Sequence, residues 1–349
     1  MFHPLTVTAV EPLCDDAAAV SFAVPDDLAA LFDFAPGQSL TLRRTVDGVE
    51  HRRSYSICAP AGAPLRIGVR EVPDGMFSRW LVRDVRPGDR VEVGEPRGTF
   101  RAEPALGGRH LCIAAGSGIT PMLSVAASVL EHPDATVTLV YGNRTAASVM
   151  FADELADLKD RHTARLDLVH VLSREPRCVE LLSGRLDADR LRRLLTTLVP
   201  TDPDLPFDHV WLCGPHGMVT DARAVLAELG VPAESVHAEL FFVDEPPPAP
   251  SRPVPAAGDV TLTVRLDGHA TTGPADRSTT LLDAAAGVRR DVPFACKGGV
   301  CGTCRARVVE GEVEMVRNYA LDAAEVDRGF VLTCQAFAVS DEVGVDFDA

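Results

Sequence analysis

The 349-residue sequence predicts a multidomain protein that joins a β-barrel, a doubly wound α/β domain and an α+β domain. Domains usually contain about 100–150 residues, so the length favours more than one core. Short alternating segments fill residues 1–104, and apolar runs alternate with helical stretches over 105–243. A proline-rich stretch at 244–258 reads as a semi-rigid linker, and a cysteine-containing segment follows at 259–349.

The first segment has the pattern of many short strands. Alternating apolar and polar residues are separated by turn signals such as Pro36-Gly37 and Asp47-Gly48. This spacing is typical of a small antiparallel barrel. The predicted strands include Leu40–Arg43, Ser54–Ile57, Leu65–Arg70 and Arg90–Val93.

Two places in this barrel are suited to an anion. Arg53 lies on a predicted strand, and Gly75 opens a predicted helix that Ser78 could cap. Free N–H groups at a helix N-terminus, with an arginine nearby, form a ready site for a pyrophosphate. Taken singly, each feature is more often purely structural.

The second segment begins with a strand, a glycine loop and a helix in succession. His110–Ala115 is a buried type of strand, and Gly116–Pro121 forms the loop. Met122–Leu130 is apolar enough for a packed helix with Pro121 near its first turn. Further strands are predicted at 136–141, 166–172 and 209–213, and helices around 150–160, 187–198 and 216–229.

Ligands of doubly wound sheets bind beyond the carboxyl ends of the strands. The ends here are Gly116–Pro121, Gly142–Arg144, Ser173–Glu175 and Gly214-Pro215. The glycine loop is weak evidence alone, because it lacks the third glycine of the dinucleotide fingerprint. Four compatible strand ends predict one nucleotide crevice more firmly.

The last segment starts with a predicted strand at Val260–Leu266 and a short helix at 280–286. Four cysteines then follow, with four, two and 29 residues between them. This is the plant-type [2Fe–2S] spacing, in which one loop supplies three thiolates and a distant strand end supplies the fourth. A zinc site, which usually shows paired short spacings, and a set of disulfides are the weaker alternatives.

Composition argues against several classes of protein. The net charge of −16 disfavours nucleic acid and anionic membrane surfaces as partners. No apolar run approaches the length of a membrane span, and residues 1–7 lack a signal pattern, so we expect a cytoplasmic protein. The five cysteines outside the cluster spacing show no pairing pattern and are expected to be reduced.

Five motifs, in this order, resemble the ferredoxin–NADP⁺ reductase superfamily with a C-terminal plant-type ferredoxin domain. They are Arg53–Ser56, Gly75–Ser78, Gly116–Pro121, Cys213–Met218 and Glu239–Phe241. The resemblance covers nearly the whole chain and is closest to the reductases of phenylacetyl-CoA epoxidase and 3-ketosteroid 9α-hydroxylase. Leu240 departs from the pattern, because close relatives more often carry arginine there. The resemblance implies a FAD-binding barrel, an NAD(P)-binding domain and a β-grasp ferredoxin domain.

The resemblance also implies roles for individual residues. The residues implied in catalysis lie against the flavin or the nicotinamide: Tyr55, Ser56, Cys213, Glu239 and Phe241. Further FAD-binding residues would be Arg53, Ile57, Gly75, Met76, Phe77 and Ser78. Nucleotide-binding residues would be Gly116, Gly118, Thr120, Pro121, Arg144, Ser173, Arg174, Gly214, Pro215 and Met218. The cluster ligands would be Cys296, Cys301, Cys304 and Cys334.

Without the resemblance, Cys213 would be read as a buried strand-end thiol, and Glu239 and Phe241 as an ordinary strand end. Arg144 and Arg174 favour NADPH over NADH, because arginine can bind a ribose 2′-phosphate with two hydrogen bonds. NADH remains possible as the electron donor.

A nicotinamide gives two electrons as hydride, whereas a [2Fe–2S] centre accepts one at a time, so a flavin is needed between them. We therefore expect an NAD(P)H-dependent reductase that supplies an oxygenase, with phenylacetyl-CoA epoxidase as the expected partner. One alternative is the reductase of a Rieske-type or ketosteroid-hydroxylating oxygenase. Another, from a different class, is a non-catalytic electron carrier or redox sensor.

Overall fold

The structure is a computed structural model that describes residues 2–73, 75–103, 106–197, 207–241, 259–321 and 323–349. The chain divides into two compact units, residues 1–242 and 243–349. The predicted linker at 244–258 lies outside the described residues.

The first unit opens with six strands and a helix: β1 (Phe2–Cys14), β2 (Ala17–Ala23), β3 (Ser39–Val46), β4 (Val49–Ser56), β5 (Arg66–Arg70), α1 (Met76–Arg83) and β6 (Arg90–Gly94). The strands form an antiparallel sheet in the order β4-β3-β6-β1-β2-β5. A bridge between Ile57, just after β4, and Ile67 in β5 brings the two edge strands together. Apolar side chains such as Leu40, Leu42 and Val93 are fully buried between the strands. The predicted antiparallel barrel is confirmed, and all four strands predicted in this segment fall in β3 to β6.

The same unit continues with five strands and four helices: β7 (Arg109–Ala115), α2 (Ile119–Val129), β8 (Thr136–Asn143), α3 (Ala152–Arg161), β9 (Leu166–Leu172), α4 (Ala188–Thr197), β10 (His209–Gly214), α5 (His216–Glu228) and β11 (Val236–Leu240). The strands form a parallel sheet in the order β11-β10-β7-β8-β9. The chain moves outward from β7 to β9 and then returns to the other side of β7. The strand order therefore reverses between β7 and β10, which confirms the predicted doubly wound fold. Folds of this kind bind ligands at the carboxyl ends of the strands where the order reverses.

One hydrophobic core extends from the barrel into the parallel sheet. Ala17 and Ala19 of β2 belong to the same buried cluster as Ile119 and Met122 of α2. Helix α2 is therefore apolar on nearly all sides, and its few hydroxyls need partners. The Ser124 hydroxyl donates to the carbonyl of Ala59 at 2.6 Å, in a barrel loop. These contacts hold the barrel against the glycine-loop helix, so the two candidate ligand regions keep a fixed relation.

The second unit contains seven strands and two helices: β12 (Asp259–Leu266), β13 (His269–Asp276), α6 (Leu281–Val288), β14 (Arg305–Glu310), β15 (Val313–Met315), α7 (Ala323–Asp327), β16 (Phe330–Leu332), β17 (Ala336–Ala338) and β18 (Glu342–Asp346). Five strands form a mixed sheet in the order β13-β12-β18-β14-β16, with β12 parallel to β18. The apolar face of α6, including Leu281 and Leu282, is buried in the core beneath this sheet. Thr280 caps α6 by accepting the Asp283 N–H at 3.2 Å. This is the predicted α+β unit.

The parallel sheet carries a stack of aromatic rings on β7, β10 and β11. The rings of Trp211 and His237 are 4.3 Å apart, and those of His110 and His209 are 5.1 Å apart. The indole N–H of Trp211 donates to Nδ1 of His110 at 3.2 Å, and Nε2 of His110 lies 3.2 Å from the Leu106 carbonyl. A neutral imidazole with its proton on Nε2 satisfies both contacts. Burial, followed by the neighbouring His209, lowers the pKa of His110.

We expect His110 to stabilise the first unit at pH 8 and to lose this contribution by pH 5.5. Because the folded-state pKa of His110 is below the ordinary value of about 6.5, the unfolded chain binds the proton more readily. The histidine contribution to stability is therefore complete above pH 6.5 and is lost as the pH falls. One kcal/mol corresponds to about 2–4 °C in a unit of this size. Trp211 fluorescence in a Trp80→Phe background, where Trp211 is the remaining tryptophan, reports the transition.

The His110→Gln variant is the control, because glutamine keeps an acceptor and a donor but does not titrate. Relative to this variant, the wild-type midpoint should fall by several degrees from pH 8 to pH 5.5, because the other titrating groups of the unit are common to both proteins. Equal slopes for the two proteins would show that the stack does not contribute to the pH dependence.

Candidate functional site

The candidate site begins where β7 and β10 end side by side. Gly118 closes the loop after β7, and a Cβ built on it would lie only 2.1 Å from the carbonyl oxygen of Cys213. Its φ of −60° is ordinary, so close approach, and not conformation, requires glycine here. At the next residue of β10, a Cβ on Gly214 would lie 2.7 Å from Cε of Met218. Gly118 therefore lets the two predicted nucleotide motifs contact each other directly, and Gly214 leaves room for Met218 within the second motif.

The predicted loop residues make local contacts that fix its shape. Gly116 has a φ of +57°, in the left-handed region, and its carbonyl accepts the Tyr141 hydroxyl at 3.0 Å. Thr120 is buried, and its hydroxyl donates to the Ser117 carbonyl at 2.8 Å. Pro121 is the third residue of α2, as expected for a proline in a first turn. Pro215 is the N-cap residue of α5, and Met218 lies buried in that helix.

A carboxyl group and a hydroxyl connect the barrel to the last strand of the parallel sheet. Ser56 at the end of β4 lies with its Oγ 3.3 Å from Oε2 of Glu239 in β11. Burial raises the pKa of Glu239 to about 8, and the hydrogen bond from Ser56 opposes this rise. Cys213 pairs with Glu239 in the strand register and is fully buried. Burial, followed by the negative charge of Glu239, raises the pKa of its thiol well above the ordinary value.

The structure therefore brings together Ser56, Cys213 and Glu239, three predicted catalytic residues from distant parts of the chain. Glu239 lies 183 residues after Ser56. Tyr55 belongs to the same strand as Ser56, and its ring lies 6.1 Å from that of Phe77 in α1. Phe241 lies just beyond β11 and packs, half-buried, against the core of the parallel sheet. Ile57 is fully buried at the bridge that closes the barrel.

Helix α1 starts differently from the sequence prediction. The prediction that Ser78 caps the helix is wrong, because Gly75 is the N-cap residue and Ser78 is the third helical residue. The Ser78 hydroxyl instead accepts the Val72 N–H at 3.0 Å and donates to the Gly75 carbonyl at 3.3 Å. A Cβ on Gly75 would lie 2.6 Å from this hydroxyl, so the turn requires glycine. The Ser78 hydroxyl is thus engaged within the turn. The first N–H groups of the helix remain available to a ligand. Met76, the first residue of the helix, is exposed beside them.

Adjacent arginines in β4 have opposite environments. Arg52 is buried, and its guanidinium binds the Glu50 carboxylate at 2.7 Å. Arg53 is exposed and donates to the Arg52 carbonyl at 2.7 Å. No carboxylate within the described ranges pairs with it. Arg53 therefore keeps a positive charge that a phosphate could neutralise.

The two arginines predicted to meet a 2′-phosphate also differ. Arg144, just after β8, binds the Asp16 carboxylate of the barrel at 2.7 Å. Arg174, just after β9, is exposed and has no ion-pair partner among the residues described. Backbone hydrogen bonds from Ser173 to Asn143, at 2.8 Å, and from Arg174 to Arg144, at 2.7 Å, join the two strand ends. The geometry favours Arg174 as the freely available cation.

The cysteines in the second unit form two thiol pairs. Cys296 and Cys301 shift each other's pKa, and so do Cys304 and Cys334, as neighbouring thiols do. The neighbouring Cys301 thiol lowers the pKa of Cys296, and backbone N–H groups, among them that of Gly298, lower it further. In the other pair, the neighbouring Cys304 thiol lowers the pKa of Cys334. Within the described residues no three such side chains converge on a point where one metal ion could bind.

Two pairs of thiolates suit a cluster with two irons, because each iron of a [2Fe–2S] centre takes two cysteines. The loop also directs donors at sulfur: the Gly298 N–H lies 3.3 Å from Sγ of Cys296. Gly299 and Gly302 have φ of +80° and +66°, which glycine adopts without strain. The Thr333 hydroxyl donates to the Cys304 carbonyl at 2.9 Å and ties the loop to the strand end that carries Cys334.

Sequence reasoning missed the ionic contacts that hold the barrel to the α/β layer. Asp16 binds both Arg70, at 3.1 Å, and Arg144. Arg66 binds Glu154 of α3 through two hydrogen bonds of 2.8 and 2.9 Å. These partners lie 54 to 128 residues apart, so no local pattern identifies them.

A cavity of about 410 Å³ lies away from the predicted site residues, between a barrel loop and helices α2 and α3. Its lining includes Cys58, Arg66 and Glu154 but no predicted site residue. The Arg66 guanidinium there is already neutralised by Glu154 and Glu11. The chemistry described above therefore belongs to the strand ends and not to this cavity.

Comparison with known proteins assigns a family to each part of the chain. Residues 4–102 match the oxidoreductase FAD-binding domain, residues 112–224 the oxidoreductase NAD-binding domain, and residues 264–339 the 2Fe-2S iron-sulfur cluster binding domain. One component of the 1,2-phenylacetyl-CoA epoxidase from Escherichia coli (strain K12) is 42% identical, over 100% of this chain and 98% of that protein. The chain belongs to the family of FAD- and NAD-binding reductases with a C-terminal 2Fe–2S domain.

Other reductases also match this chain over nearly its whole length. The ferredoxin reductase component of 3-ketosteroid-9-alpha-monooxygenase from Rhodococcus rhodochrous is 35% identical over 98% of this chain and 96% of its own. Phthalate dioxygenase reductase has the same fold, with a TM-score of 0.62, 24% identity, and coverage of 99% of this chain and 98% of that one. FAD, a pyridine nucleotide and a [2Fe–2S] cluster are the cofactors of such a reductase, and the predicted zinc and disulfide alternatives are excluded by this assignment. None of the helices in the described parts of the chain combines the length and apolarity that crossing a bilayer requires.

Proposed function

We propose that this reductase passes electrons from NADPH through FAD and the [2Fe–2S] cluster to an oxygenase, and that a phenylacetyl-CoA epoxidase is that oxygenase. The observation that carries the proposal is the 3.3 Å contact between Ser56 and Glu239. It joins the barrel strand expected to face the flavin to the sheet strand expected to face the nicotinamide. A non-catalytic carrier would not need these two surfaces to meet.

The residues of this chain divide the work between binding and alignment. Arg53 and the first N–H groups of α1 would hold the flavin pyrophosphate, because both offer positive charge. Tyr55 would cover one face of the flavin ring, with Ser56, Ile57 and Phe77 at its side. When bound, the flavin accepts a hydride and releases its electrons singly.

On the nucleotide side, Gly116, Gly118, Thr120 and Pro121 would hold the pyrophosphate, and Gly214, Pro215 and Met218 would form the opposite wall. Cys213 and Glu239 lie side by side in adjacent strands. A protonated Glu239 and a neutral Cys213 suit an uncharged nicotinamide, because neither would leave an unpaired charge next to it. Phe241 would close this side. Cys296, Cys301, Cys304 and Cys334 would ligate the cluster. We assign these steps to domains at 1–104, 105–243 and 259–349, joined by the linker at 244–258.

The epoxidase assignment rests on similarity across the full length of the relative. A ketosteroid-type oxygenase is the second candidate, supported by the 35% identity of those reductases. Stopped-flow reduction of both purified oxygenases by the NADPH-reduced protein distinguishes them. Fast reduction of the epoxidase with slow reduction of the ketosteroid oxygenase is expected, and the reverse order would replace the first assignment by the second.

The Arg53→Ala variant should bind FAD at least about tenfold more weakly. Hydrogen bonds to charged groups contribute about 1.5–3 kcal/mol, and Arg53 has no carboxylate partner in the described chain to compensate. The measurement is FAD affinity by fluorescence quenching on the full-length protein. Arg90→Ala, which removes another exposed strand arginine of the barrel, is the matched control and should keep wild-type affinity. Unchanged FAD affinity in Arg53→Ala would show that Arg53 is only a surface residue.

The Arg174→Ala variant should lower the preference for NADPH over NADH. A bidentate contact to a phosphate is worth about 1.5–3 kcal/mol, so the ratio of the two kcat/KM values should fall at least about tenfold. Steady-state oxidation of each nucleotide with an artificial acceptor gives this ratio. Equal losses with both nucleotides would mean that Arg174 does not contact the 2′-phosphate.

A further inference from the structure

Asn143 is a buried amide whose side chain is left unsatisfied. It is the last residue of β8, and 7% of its surface is exposed. Neither Oδ1 nor Nδ2 has a hydrogen-bond partner within the residues that the structure describes. An unsatisfied buried polar group costs about 1–3 kcal/mol, so a side chain with two of them points to a missing ligand.

The surroundings of Asn143 show where that ligand would lie. Tyr141 is two residues earlier in the same strand, so the two side chains share one face of the sheet. The Tyr141 hydroxyl donates to the Gly116 carbonyl and accepts the Met150 N–H, and by geometry it makes no hydrogen bond to the Asn143 side chain. Asn143 thus faces the side of the sheet on which the glycine loop lies.

The backbone around Asn143 is held in place. Its carbonyl accepts the Ser173 N–H at 2.8 Å, so the strand end is tied to its neighbour. The backbone position from which the side chain extends is therefore fixed.

We infer that Asn143 binds the ribose of the pyridine nucleotide and sets the tolerance of the site for the 2′-substituent. This rests on the proposed nucleotide site. In doubly wound domains, the strand after the glycine-loop helix ends at the ribose, and an acidic residue there accepts a hydrogen bond from the 2′-hydroxyl of NAD. Strand β8 occupies this place, and its last residue is neutral.

The carboxamide can serve either nucleotide. Its Oδ1 can accept from the 2′-hydroxyl of NADH, and its Nδ2 can donate to the 2′-phosphate of NADPH. A carboxylate could only accept, and its charge would repel the phosphate. Arg174 supplies the attraction for the phosphate from the neighbouring strand end, while Arg144 is engaged by Asp16. The preference for NADPH therefore depends on the absence of a negative charge at 143 as well as on the positive charge at 174.

The test is the isosteric Asn143→Asp variant, used as full-length protein loaded with FAD and cluster. We expect the ratio of kcat/KM for NADPH to that for NADH to fall at least tenfold, through KM and not kcat. Competitive inhibition by 2′-AMP should weaken at least tenfold more than inhibition by 5′-AMP. An unchanged ratio, or equal losses with both inhibitors, would overturn the inference.

A second variant tests whether the effect of Asn143→Asp comes from its charge or from a structural disturbance. Asn143→Ser keeps a small donor and acceptor without charge, so its nucleotide ratio should stay within about threefold of wild type while Asn143→Asp changes. Equal changes in both variants would show a merely structural role and overturn the inference. If wild-type protein with full FAD content oxidised neither nucleotide, the proposed function itself would fail; an active wild type with an unaltered ratio in Asn143→Asp would remove only the role of Asn143.

Discussion

The Cys301→Ser variant is expected to lose the visible absorption of the [2Fe–2S] cluster and nearly all electron transfer to a protein acceptor. Cys301 forms one of the two thiol pairs, and serine replaces a soft thiolate with a hydroxyl that remains protonated. Cys301 lies in the second unit, whereas all proposed flavin and nucleotide residues lie in the first. FAD content and NADPH oxidation with ferricyanide should therefore persist.

The measurement combines the visible spectrum, iron content and reduction of the oxygenase. Cys178→Ser is the matched control, because Cys178 is an exposed free thiol outside the cluster loop. It should retain the wild-type spectrum and transfer rate. Wild-type iron content in Cys301→Ser would remove Cys301 from the ligand set, and a parallel loss of FAD would contradict the independence of the two units.

The cluster loop was the most predictable part of the molecule. Fixed spacing between cysteines is a local property, and the chemistry of iron permits few alternatives to it. The sequence could not reveal the pairing of Cys296 with Cys301 and of Cys304 with Cys334. Cys334 is distant in sequence from Cys304, and long-range contacts such as the hydrogen bond from the Thr333 hydroxyl to the Cys304 carbonyl, 29 residues earlier, join their two segments.

Periodicity likewise predicted β3 to β6 of the barrel, from their alternation, and β7 to β10 of the parallel sheet, from their continuous apolar runs, but it did not predict β1, β2 or β11. It did not predict which strand ends would touch. Ser56 and Glu239 each belong to an unremarkable strand end, and they meet only because β11 lies at the edge of the sheet next to β10. Their contact is a consequence of topology and not of local sequence.

Predictions about single side chains were wrong, or remain untested, where another residue of the chain already binds the polar group concerned. Ser78 looked like a helix cap, but the Val72 N–H engages its hydroxyl. Arg144 looked like a phosphate ligand, but Asp16, 128 residues away, binds it. Asn143 drew no attention, because an asparagine in a sequence gives no sign that both of its polar atoms will be buried and unpaired.

The Gly118→Ala variant should slow NADPH-dependent flavin reduction by about two orders of magnitude while FAD stays bound. Its new Cβ would lie 2.1 Å from the Cys213 carbonyl oxygen and 2.5 Å from the carbonyl carbon, and backbone cannot rotate away as a flexible side chain could. The glycine loop and the end of β10 must therefore separate. A displacement of about 1 Å can cost about 100-fold in rate when it misaligns reacting groups. Overpacking typically costs about 1–3 kcal/mol, so the free energy of unfolding should fall by that amount.

Rapid-reaction measurement of flavin reduction, with FAD content and thermal unfolding on the same samples, checks this expectation. Gly287→Ala is the control, because Gly287 lies in helix α6, where a Cβ would meet no atom within 4 Å. That variant should match wild type in rate and be slightly more stable, since alanine favours a helix by up to about 1 kcal/mol over glycine. A wild-type rate in Gly118→Ala would mean that the two nucleotide motifs can separate without harm, and their close contact would then have no part in aligning the nicotinamide.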